Sequence, residues 1–323
     1  MKIIRVGIIG AGHVFPYYRS AISKHAFFEI SGVYDKRKLA PKNPKSLTIC
    51  SSLASLLLTE PDIIAILTDS RSRYELAKEI LAQGIPVILE KPPTETLEQY
   101  DELVKLALQN ETFIFGALHS RYTTTHAFVR NQMHITSSGS FNKDLGRLTK
   151  IELSRFDPYI TDGKLAENLP EKTSGLDSWP NIFAELALFV DQYQIYYVSN
   201  LDASHSPQCL EARSEVTGKT SGKGIFNAKT DWTQGINQKK TRLTFINGTI
   251  VMDHTLQKIC ITSGGKHTTI DLSNMGDRMM LEYFYMFQEI YDVFHGLKNS
   301  NSSTTRDILL STLSCFEMMV AVR

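Results

Sequence analysis

A glutamate and a lysine follow a short apolar segment near residue 90, and this pair is the first candidate for chemistry. Residues 86–89 have the composition of a buried strand, and Glu90 and Lys91 come directly after them, ahead of Pro92 and Pro93. Proline has no backbone N–H to give to a sheet, so the strand must end here. In an open α/β sheet, the carboxyl ends of the strands form the edge where ligands bind. We therefore expect Lys91 to donate or accept a proton; the alternative is a structural ion pair with Glu90.

A glycine-rich turn near the N-terminus is the second candidate. Residues 3–9 predict a buried strand, Gly10-Ala11-Gly12 follows at once, and a helix is expected over residues 16–24. Gly10 permits a tight turn, and Gly12 lets the backbone approach a pyrophosphate at the helix N-terminus. His13 and Val14, the next residues of the turn, complete the expected cofactor-binding segment.

The acid after the second predicted strand bears on the identity of the cofactor. Residues 29–34 predict that strand, and Asp35 follows it, roughly 20 residues beyond Gly12, where a ribose-binding acid is expected. Asp35 favours the free 2′-hydroxyl of NAD. Lys36 and Arg37 come next and could instead bind the 2′-phosphate of NADP, so the sequence leaves NAD and NADP open. The alternative for Asp35 is a residue that only forms a turn.

Composition excludes several classes of protein. The chain has 323 residues and a formal net charge of +1, which gives no reason to expect nucleic acid or an anionic membrane as a partner. No apolar run approaches the ~20 residues that span a bilayer. The four cysteines are far apart, as expected for reduced thiols in a cytoplasmic protein. The histidines outside residue 119 show no metal-binding spacing, so we expect no catalytic metal.

The pattern of elements predicts an α/β protein with two domains. Strands alternate with helices through about residue 120, which is typical of a parallel sheet. After residue 145 the pattern changes to a long strand, an apolar helix over residues 181–194, and a series of strands to about residue 272. We expect a Rossmann dinucleotide-binding domain over residues 1–122. Residues 123–323 should form an α+β domain with a mixed, largely antiparallel open sheet for substrate binding and oligomerisation, and its final helix is free to pack back on the first domain.

Together these motifs resemble the glucose–fructose oxidoreductase/inositol dehydrogenase (Gfo/Idh/MocA) family. The resemblance rests on four segments in the expected order, namely VGIIGAG at 6–12, LEKP at 89–92, Arg121-Tyr122 and TRDILL at 305–310. It implies a sugar or polyol carbon as the reacting group and NAD(P) as the hydride carrier. The segment 119–122 is similar to the aldose 1-dehydrogenase branch. Glu90 and Lys91 would also contact the cofactor in such a protein.

The chain departs from the family's usual motifs in three places. Phe15 occupies the third small position of the glycine fingerprint, where a phenyl ring must shift the helix or point away from the strand. After the third strand, Thr68 of the family's T-P-x-x-x-H is kept as a cofactor contact, but Asp69 replaces the proline and Arg73 the histidine. The third departure lies on the family's substrate-facing helix, which carries D-x-G-x-H-x-x-D. With Asp191 as its last acid, Leu188 takes the histidine position and Ala184 that of the first acid.

The remaining candidates concern the substrate. His119 could replace the missing histidine as a catalytic group, and Arg121 could bind substrate hydroxyls. Trp179 could stack on a sugar ring, while Asn181 and Asp191 could hydrogen-bond to hydroxyls. Helix capping, ion pairing or packing is the alternative for each of these residues. Asp157 and Tyr159 are weaker candidates.

The function that these residues predict is hydride transfer between a nicotinamide and a sugar-like substrate, with Lys91 as the acid/base group. A lysine that is partly desolvated, or beside a cation such as Arg121, releases its proton more easily. The alternative is a dinucleotide- and sugar-binding sensor or regulator that has lost catalysis, which the absent histidine and Phe15 favour. Reduction of an imine or a tetrapyrrole-like ligand is a third possibility. We expect a homodimer or homotetramer, because a second copy of the chain would cover the open sheet face and keep a large apolar patch out of water.

Overall fold

A computed structural model describes residues 2–37, 47–135, 141–162, 164–166, 173–202, 211–222 and 224–321. Its contacts divide the chain into two compact units. The first unit comprises Met1–Leu118 with Met279–Leu309, and the second comprises His119–Arg278 with Leu310–Arg323. Within the described residues, no helix is both long enough and apolar enough to cross a membrane. Cys50, Cys260 and Cys315 are free thiols, and Cys209 lies outside the described residues.

The first unit is built on a six-stranded parallel sheet with the strand order β3-β2-β1-β4-β5-β6. Its strands are β1 (Ile4–Ile9), β2 (Phe28–Tyr34), β3 (Ile49–Cys50), β4 (Ile63–Ile66), β5 (Val87–Glu90) and β6 (Ile114–Ala117). Strands β4, β5 and β6 are buried at every position. Continuous burial explains their short and, apart from Glu90, apolar sequences, because a parallel sheet is covered on both faces.

Four helices connect these strands, namely α1 (Phe15–Lys24), α2 (Leu53–Leu57), α3 (Ser70–Leu81) and α4 (Leu97–Gln109). Three of them begin at a side-chain cap. Ser52 and Thr96 form capping boxes with the third residue of α2 and α4, and Asp69 accepts the backbone N–H of Ser72. Helix α1 differs, because its N-cap residue Val14 provides no side-chain hydrogen bond.

The second unit contains a mixed, largely antiparallel sheet of nine strands, as the sequence pattern predicted. The strand order is β11-β12-β13-β8-β14-β15-β16-β17, with β7 also paired to β8; only β13 and β8 are parallel. The strands are β7 (Phe141–Asn142), β8 (Gly146–Phe156), β11 (Tyr193–Asp202), β12 (Arg213–Thr220), β13 (Ile225–Asp231), β14 (Gln238–Phe245), β15 (Gly248–Asp253), β16 (Lys258–Ser263) and β17 (Lys266–Asp271). A separate pair is formed by β9 (Ile160–Thr161) and β10 (Lys164–Leu165).

Two helices and a 3₁₀ turn accompany the second sheet: the turn His119–Tyr122, α5 (Thr124–Met133) and α6 (Ser174–Leu186). Helix α6 differs from the helix predicted over residues 181–194. It starts earlier, because Thr173 caps it through the N–H of Leu176, and it continues through Pro180. It also ends earlier, because the apolar run Leu188-Phe189-Val190 forms a buried turn rather than further helix.

The chain ends in α7 (Arg278–Phe294) and α8 (Ser302–Ala321). The buried aromatic face of α7 packs in the first unit, where Tyr283 contacts the ring of Tyr18 and Phe287 contacts that of Phe28. Residues 279–309 therefore belong to the first unit. The sequence prediction placed residues 123–323 in the second domain and left only the final helix free to pack on the first.

A side chain completes the hydrogen bonding of strand β6, which ends the strand order of the first sheet. The Asn301 amide accepts the N–H of Gly116 at 2.8 Å and donates to the carbonyl of Gly116 at 2.9 Å. Thr305, one helical turn later, packs so closely on Gly116 that a Cβ there would lie 2.2 Å from the Thr305 hydroxyl. Glycine is therefore required at residue 116.

Candidate functional site

The glycine-rich turn has the backbone geometry that the sequence predicted. Gly10 follows β1 with φ of +95°, a conformation that favours glycine, and a Cβ there would lie 3.1 Å from the backbone of Leu67. A Cβ added to Gly12 would meet nothing within 4 Å. The space beside Gly12 is therefore open on the side that a side chain would fill.

The start of helix α1 lies next to this open space. His13 is exposed and Val14 is half-buried. Phe15 is the first residue of helix α1, so the helix begins at this residue despite the bulky phenyl ring. The N–H groups of Phe15 and Tyr17 bond to the carbonyl oxygens of Gly12 and Val14, and Pro16 has no N–H. The open space at Gly12, rather than the first turn of α1, is therefore the feature that suits a bound group.

Asp35 is nearly buried at the end of β2, with its side chain 4% exposed. One carboxylate oxygen, Oδ2, accepts the N–H of Ala11 and the Nη2 of Arg37, each at 2.8 Å. The other, Oδ1, accepts the backbone N–H of Arg37 at 2.8 Å and its Nε at 3.0 Å. The hydrogen bonds from Arg37 hold the pKa of Asp35 well below its usual range, despite the opposing effect of burial. Asp35 therefore connects the glycine turn to Arg37.

Glu90 is the last residue of strand β5 and Lys91 follows it, at the same carboxyl edge of the sheet as the glycine turn. The Glu90 side chain is buried: its Oε1 accepts the hydroxyl of Tyr283 at 3.2 Å, and its Oε2 accepts the backbone N–H of Lys91 at 3.3 Å. Burial and the Glu90 charge raise the pKa of both Tyr18 and Tyr283 well above the ordinary value. These phenols therefore stay protonated and can act as donors. Lys91 is half-buried.

Arg73 links two strand ends at this edge. Its guanidinium donates to the carbonyl oxygens of Thr68, after β4, and of Pro92, after β5. Arg73 is buried, and its charge lowers the pKa of Tyr18 while Glu90 raises it. The sequence comparison identified Arg73 only as a replacement for a family histidine; its bridging role depends on the distance between two loops and has no sequence signal.

In the second unit, the turn that carries His119 and Arg121 is tied to helix α6. The Ser120 hydroxyl donates to the carbonyl of Asn181 at 3.1 Å, and Arg121 Nη1 donates to the carbonyl of Ala184 at 3.3 Å. His119 itself is buried. The structure therefore brings together three of the predicted substrate-side residues, His119, Arg121 and Asn181, within this unit.

Asn181 and Trp179 are both buried on α6, but in different ways. Trp179 is 0% exposed and packs against Gly175, where a Cβ would lie 2.8 Å from the ring. This complete burial favours the packing alternative over stacking on a sugar. Asn181 is 6% exposed, and its Oδ1 has no hydrogen-bond partner among the described residues. A buried amide oxygen without a donor is expected where a ligand supplies one.

Asp191 and Leu188 lie beyond the end of α6, and Asp191 is exposed. The alignment that used Asp191 as the last acid of the family motif therefore runs off the helix. If the motif instead begins at Asp177, in the first turn of α6, its histidine position falls on Asn181 and its last acid on Ala184.

A buried cluster lies behind α6. Glu185 Oε2 is 3.6 Å from His126 Nε2 and 3.5 Å from His254 Nε2, and the three groups have the mutual spacing of metal ligands. However, Glu185 also forms a buried ion pair with Arg155 and accepts the hydroxyl of Thr241 at 2.9 Å. The sequence could not show this cluster, because its members come from distant segments.

Burial and neighbouring charges in this cluster act on the titration of His254. Burial lowers the pKa of His254 well below its ordinary value, and the charges of His126, Arg155 and Arg278 lower it further. These groups form a polar network that joins α5, α6 and the sheet. The expectation of no catalytic metal stays a prediction.

Asp157 and Tyr159 also have structural contacts. Asp157 pairs with Lys239, whose ammonium also donates to the carbonyl of Phe156 at 3.1 Å and to Asn237 at 2.6 Å. Burial lowers the pKa of Lys239 to about 8, against the opposing effect of Asp157. Tyr159 packs edge-on to Trp232.

The residues of the first unit fit a dinucleotide. The open space at Gly12, in the turn before α1, suits a pyrophosphate, and Asp35 with Arg37 follows β2, where the adenosine ribose is bound in such folds. Thr68 is half-buried beyond β4.

Residues 4–116 match a family described as an oxidoreductase family with an NAD-binding Rossmann fold, Gfo/Idh/MocA. The chain resembles this family, as its motifs predicted, and its first unit carries the NAD-binding Rossmann fold.

Similar individual proteins include sugar dehydrogenases. The D-glucoside 3-dehydrogenase of Escherichia coli is 29% identical over 136 residues, which cover 40% of this chain and 39% of that protein. The UDP-N-acetylglucosamine 3-dehydrogenase of Acidithiobacillus ferrooxidans is 26% identical over 106 residues, which cover 32% of this chain and 33% of that protein. These matches thus span less than half the length of either curated relative.

Solved structures extend the likeness of fold to the whole chain. The same Acidithiobacillus ferrooxidans enzyme has a TM-score of 0.79 at 15% identity, with 99% of each chain covered. An oxidoreductase from Agrobacterium radiobacter, in complex with NAD⁺, L-tartaric acid and magnesium, has a TM-score of 0.84 at 13% identity and covers 99% of this chain and 97% of its own. Both units therefore have the architecture of these proteins.

Proposed function

We propose that this protein is an NAD(P)-dependent oxidoreductase that acts on a CH–OH group of a sugar or sugar derivative. The observation that carries the proposal is the common sheet edge in the first unit. Strands β1 and β5 are parallel members of one sheet, so the Gly10–Gly12 turn and Lys91 lie at the same carboxyl edge. The named sugar dehydrogenases among the relatives support the substrate class.

The nicotinamide, when bound, supplies the hydride chemistry. Lys91 is the proposed acid/base residue, which takes the hydroxyl proton during oxidation and returns it during reduction. The contacts of its neighbour Glu90 support this role. Oε1 of Glu90 accepts the Tyr283 hydroxyl and Oε2 accepts the backbone N–H of Lys91, so both carboxylate oxygens have partners other than the Lys91 ammonium. We infer that Glu90 holds the end of β5 in position beside the cofactor, while Lys91 accepts and donates the substrate proton.

Asn181 is the proposed partner of a substrate hydroxyl in the second unit, and Arg121 a second one. The unmet Oδ1 of Asn181 supports this assignment, because a hydroxyl can donate to it. An amide cannot exchange a proton at neutral pH as a histidine does. Asn181 would therefore orient the substrate, and His119 remains the candidate for any second proton transfer.

The decisive experiment measures turnover and binding separately. Purified protein is assayed with a panel of aldoses, glucosides and nucleotide sugars by the absorbance of reduced nicotinamide at about 340 nm. For any substrate turned over, Lys91→Met should lower kcat by about 10²–10⁴-fold, while calorimetry shows dinucleotide binding unchanged within about threefold. Lys24→Ala, at the exposed end of α1, is the matched control.

Two results would contradict the proposal. If Lys91→Met retains full kcat, the acid/base assignment is wrong. If the wild-type protein binds a dinucleotide but turns over nothing in the panel, a sensor or regulator of the same fold replaces the enzyme as the better conclusion.

We also propose a cytoplasmic homodimer or homotetramer. The free thiols Cys50, Cys260 and Cys315 support a reducing compartment, and the nine-stranded sheet offers a broad face for a second copy. Sedimentation of the purified chain tests the assembly; a monomer at micromolar concentration would contradict it.

A further inference from the structure

We propose that this protein selects NADP(H) over NAD(H), and that Arg37 is the residue that recognises the 2′-phosphate. Asp35 acts as the anchor of Arg37 rather than as a ligand of the ribose. The inference rests on the proposed dinucleotide-dependent function and goes beyond the family description, which names NAD.

The hydrogen-bonding capacity of Asp35 is already used. A carboxylate has about four acceptor positions. Asp35 fills them with the N–H of Ala11 and with three donors of Arg37, at distances between 2.8 and 3.0 Å. A ribose 2′-hydroxyl could bind to Asp35 only by displacing charge-assisted bonds from Arg37, which are stronger than the bond it would form. The presence of an acid after β2 therefore does not indicate NAD in this chain.

The guanidinium of Arg37 has donors left for a phosphate. Of its five N–H groups, the Nε–H and one on Nη2 point to Asp35. The others extend away from that carboxylate, and the Arg37 side chain is 66% exposed. Because Asp35 holds the planar group in one orientation, little rotational entropy is lost when a phosphate binds. A 2′-phosphate thus meets fixed donors without breaking any existing bond.

The charge of the neighbouring chain favours the same ligand. Lys36 and Arg37, both exposed, follow Asp35 directly. Two adjacent cations attract the additional negative charge that distinguishes NADP from NAD. Asp69, from the loop after β4, interacts electrostatically with Lys36. Arg37 is therefore the cation whose position suits a 2′-phosphate.

The test is titration calorimetry of the full-length protein with NADP⁺ and NAD⁺. We expect NADP⁺ to bind at least about tenfold more tightly, as a charge-assisted phosphate contact predicts. Arg37→Ala should weaken NADP⁺ binding by about 10–100-fold and NAD⁺ binding by no more than about threefold. Lys24→Ala, with the same change of charge on an exposed helix end, should change neither.

A second variant separates the two roles of Asp35. Asp35→Asn keeps the shape of the side chain but weakens the hold on Arg37. If Asp35 is an anchor, NADP⁺ binding falls by several-fold while NAD⁺ binding is nearly unchanged. If Asp35 is a ribose ligand, NAD⁺ binding falls most and NADP⁺ binding is retained or improved, which overturns the inference.

The wild-type protein gives two further outcomes. Tighter binding of NAD⁺ than of NADP⁺ overturns the preference for NADP(H) and leaves the oxidoreductase proposal intact. Binding of neither dinucleotide contradicts both proposals.

Discussion

The hydroxyl of Tyr283 donates a hydrogen bond to Oε1 of Glu90 at 3.2 Å, and both side chains are buried. Glu90 ends the strand that precedes the proposed acid/base residue, while Tyr283 lies on α7, almost 200 positions later in the chain. Residues 279–309 therefore complete the first unit, and Tyr283 among them contacts the end of β5.

Tyr283→Phe should destabilise the protein by about 1–3 kcal/mol, because it removes a donor from a buried carboxylate. The measurement is urea-induced unfolding followed by circular dichroism. Tyr74→Phe is the control, since Tyr74 contacts Glu102 on the surface and should change stability little. Equal effects of the two substitutions would show that the buried bond contributes nothing.

Asn181→Leu should separate stability from activity. The substitution removes a buried amide oxygen that has no hydrogen-bond partner among the described residues and puts an apolar side chain of similar size in its place, so the free energy of unfolding should be unchanged or higher by about 1 kcal/mol. The same change removes the proposed hydroxyl contact, and kcat/KM for the sugar should fall at least about tenfold. Thermal unfolding and steady-state kinetics on one preparation measure both. A strong loss of stability would mean that the amide has a structural partner.

Arg73→Met should weaken both stability and dinucleotide binding. Two carbonyl oxygens, of Thr68 and Pro92, lose their donor, which costs about 2–4 kcal/mol in total. Because these carbonyls belong to loops at the proposed cofactor edge, the dissociation constant of the dinucleotide should also rise. Calorimetry and urea unfolding are the measurements. Arg71→Ala, on the exposed side of the same helix, should leave both quantities unchanged.

His254 should make stability depend on pH. Burial and nearby positive charge lower its pKa in the folded protein, so the unfolded chain binds a proton more readily. This contribution is complete above the usual histidine pKa of about 6.5 and is lost as the pH falls below it, at up to about 1.4 kcal/mol per pH unit. Urea unfolding at pH 7, 6 and 5 gives the slope.

His254→Gln keeps polar atoms in the cluster and removes this titration, so the decrease in stability between pH 7 and pH 5 should be smaller than in the wild type. His267→Gln, on an exposed strand, is the control and should keep the wild-type slope. A variant at residue 254 with the full wild-type slope would assign the pH dependence to other groups.

The sequence was sufficient to predict the first sheet because its signals are local. The turn at Gly10 directly follows an apolar strand, and the prolines after Lys91 end another one. Helix α6 was misplaced, because hydrophobicity alone does not distinguish a buried turn at residues 188–190 from a further helical turn. The capping residue Thr173 was the available signal for its true start.

The parts of the site that sequence reasoning missed depend on distant contacts. Glu185 contacts Arg155, His126 and His254. These four residues come from four separate segments, and no spacing relates them. The pattern was incomplete even for residues two positions apart. Asp35 and Arg37 were both singled out, but only the structure shows that Arg37 occupies acceptor positions of Asp35, the observation on which the proposed preference for NADP rests.

Asn301 gives the first sheet a boundary. By bonding to both the N–H and the carbonyl of Gly116, its amide satisfies polar groups that an unpaired outer strand would otherwise present. A partly unfolded chain or a second molecule therefore finds fewer free groups there to extend the sheet. Resistance to aggregation through added strands would thus depend on Asn301, which lies outside the proposed reaction site. A substitution of Asn301 would change this resistance without changing the proposed hydride transfer.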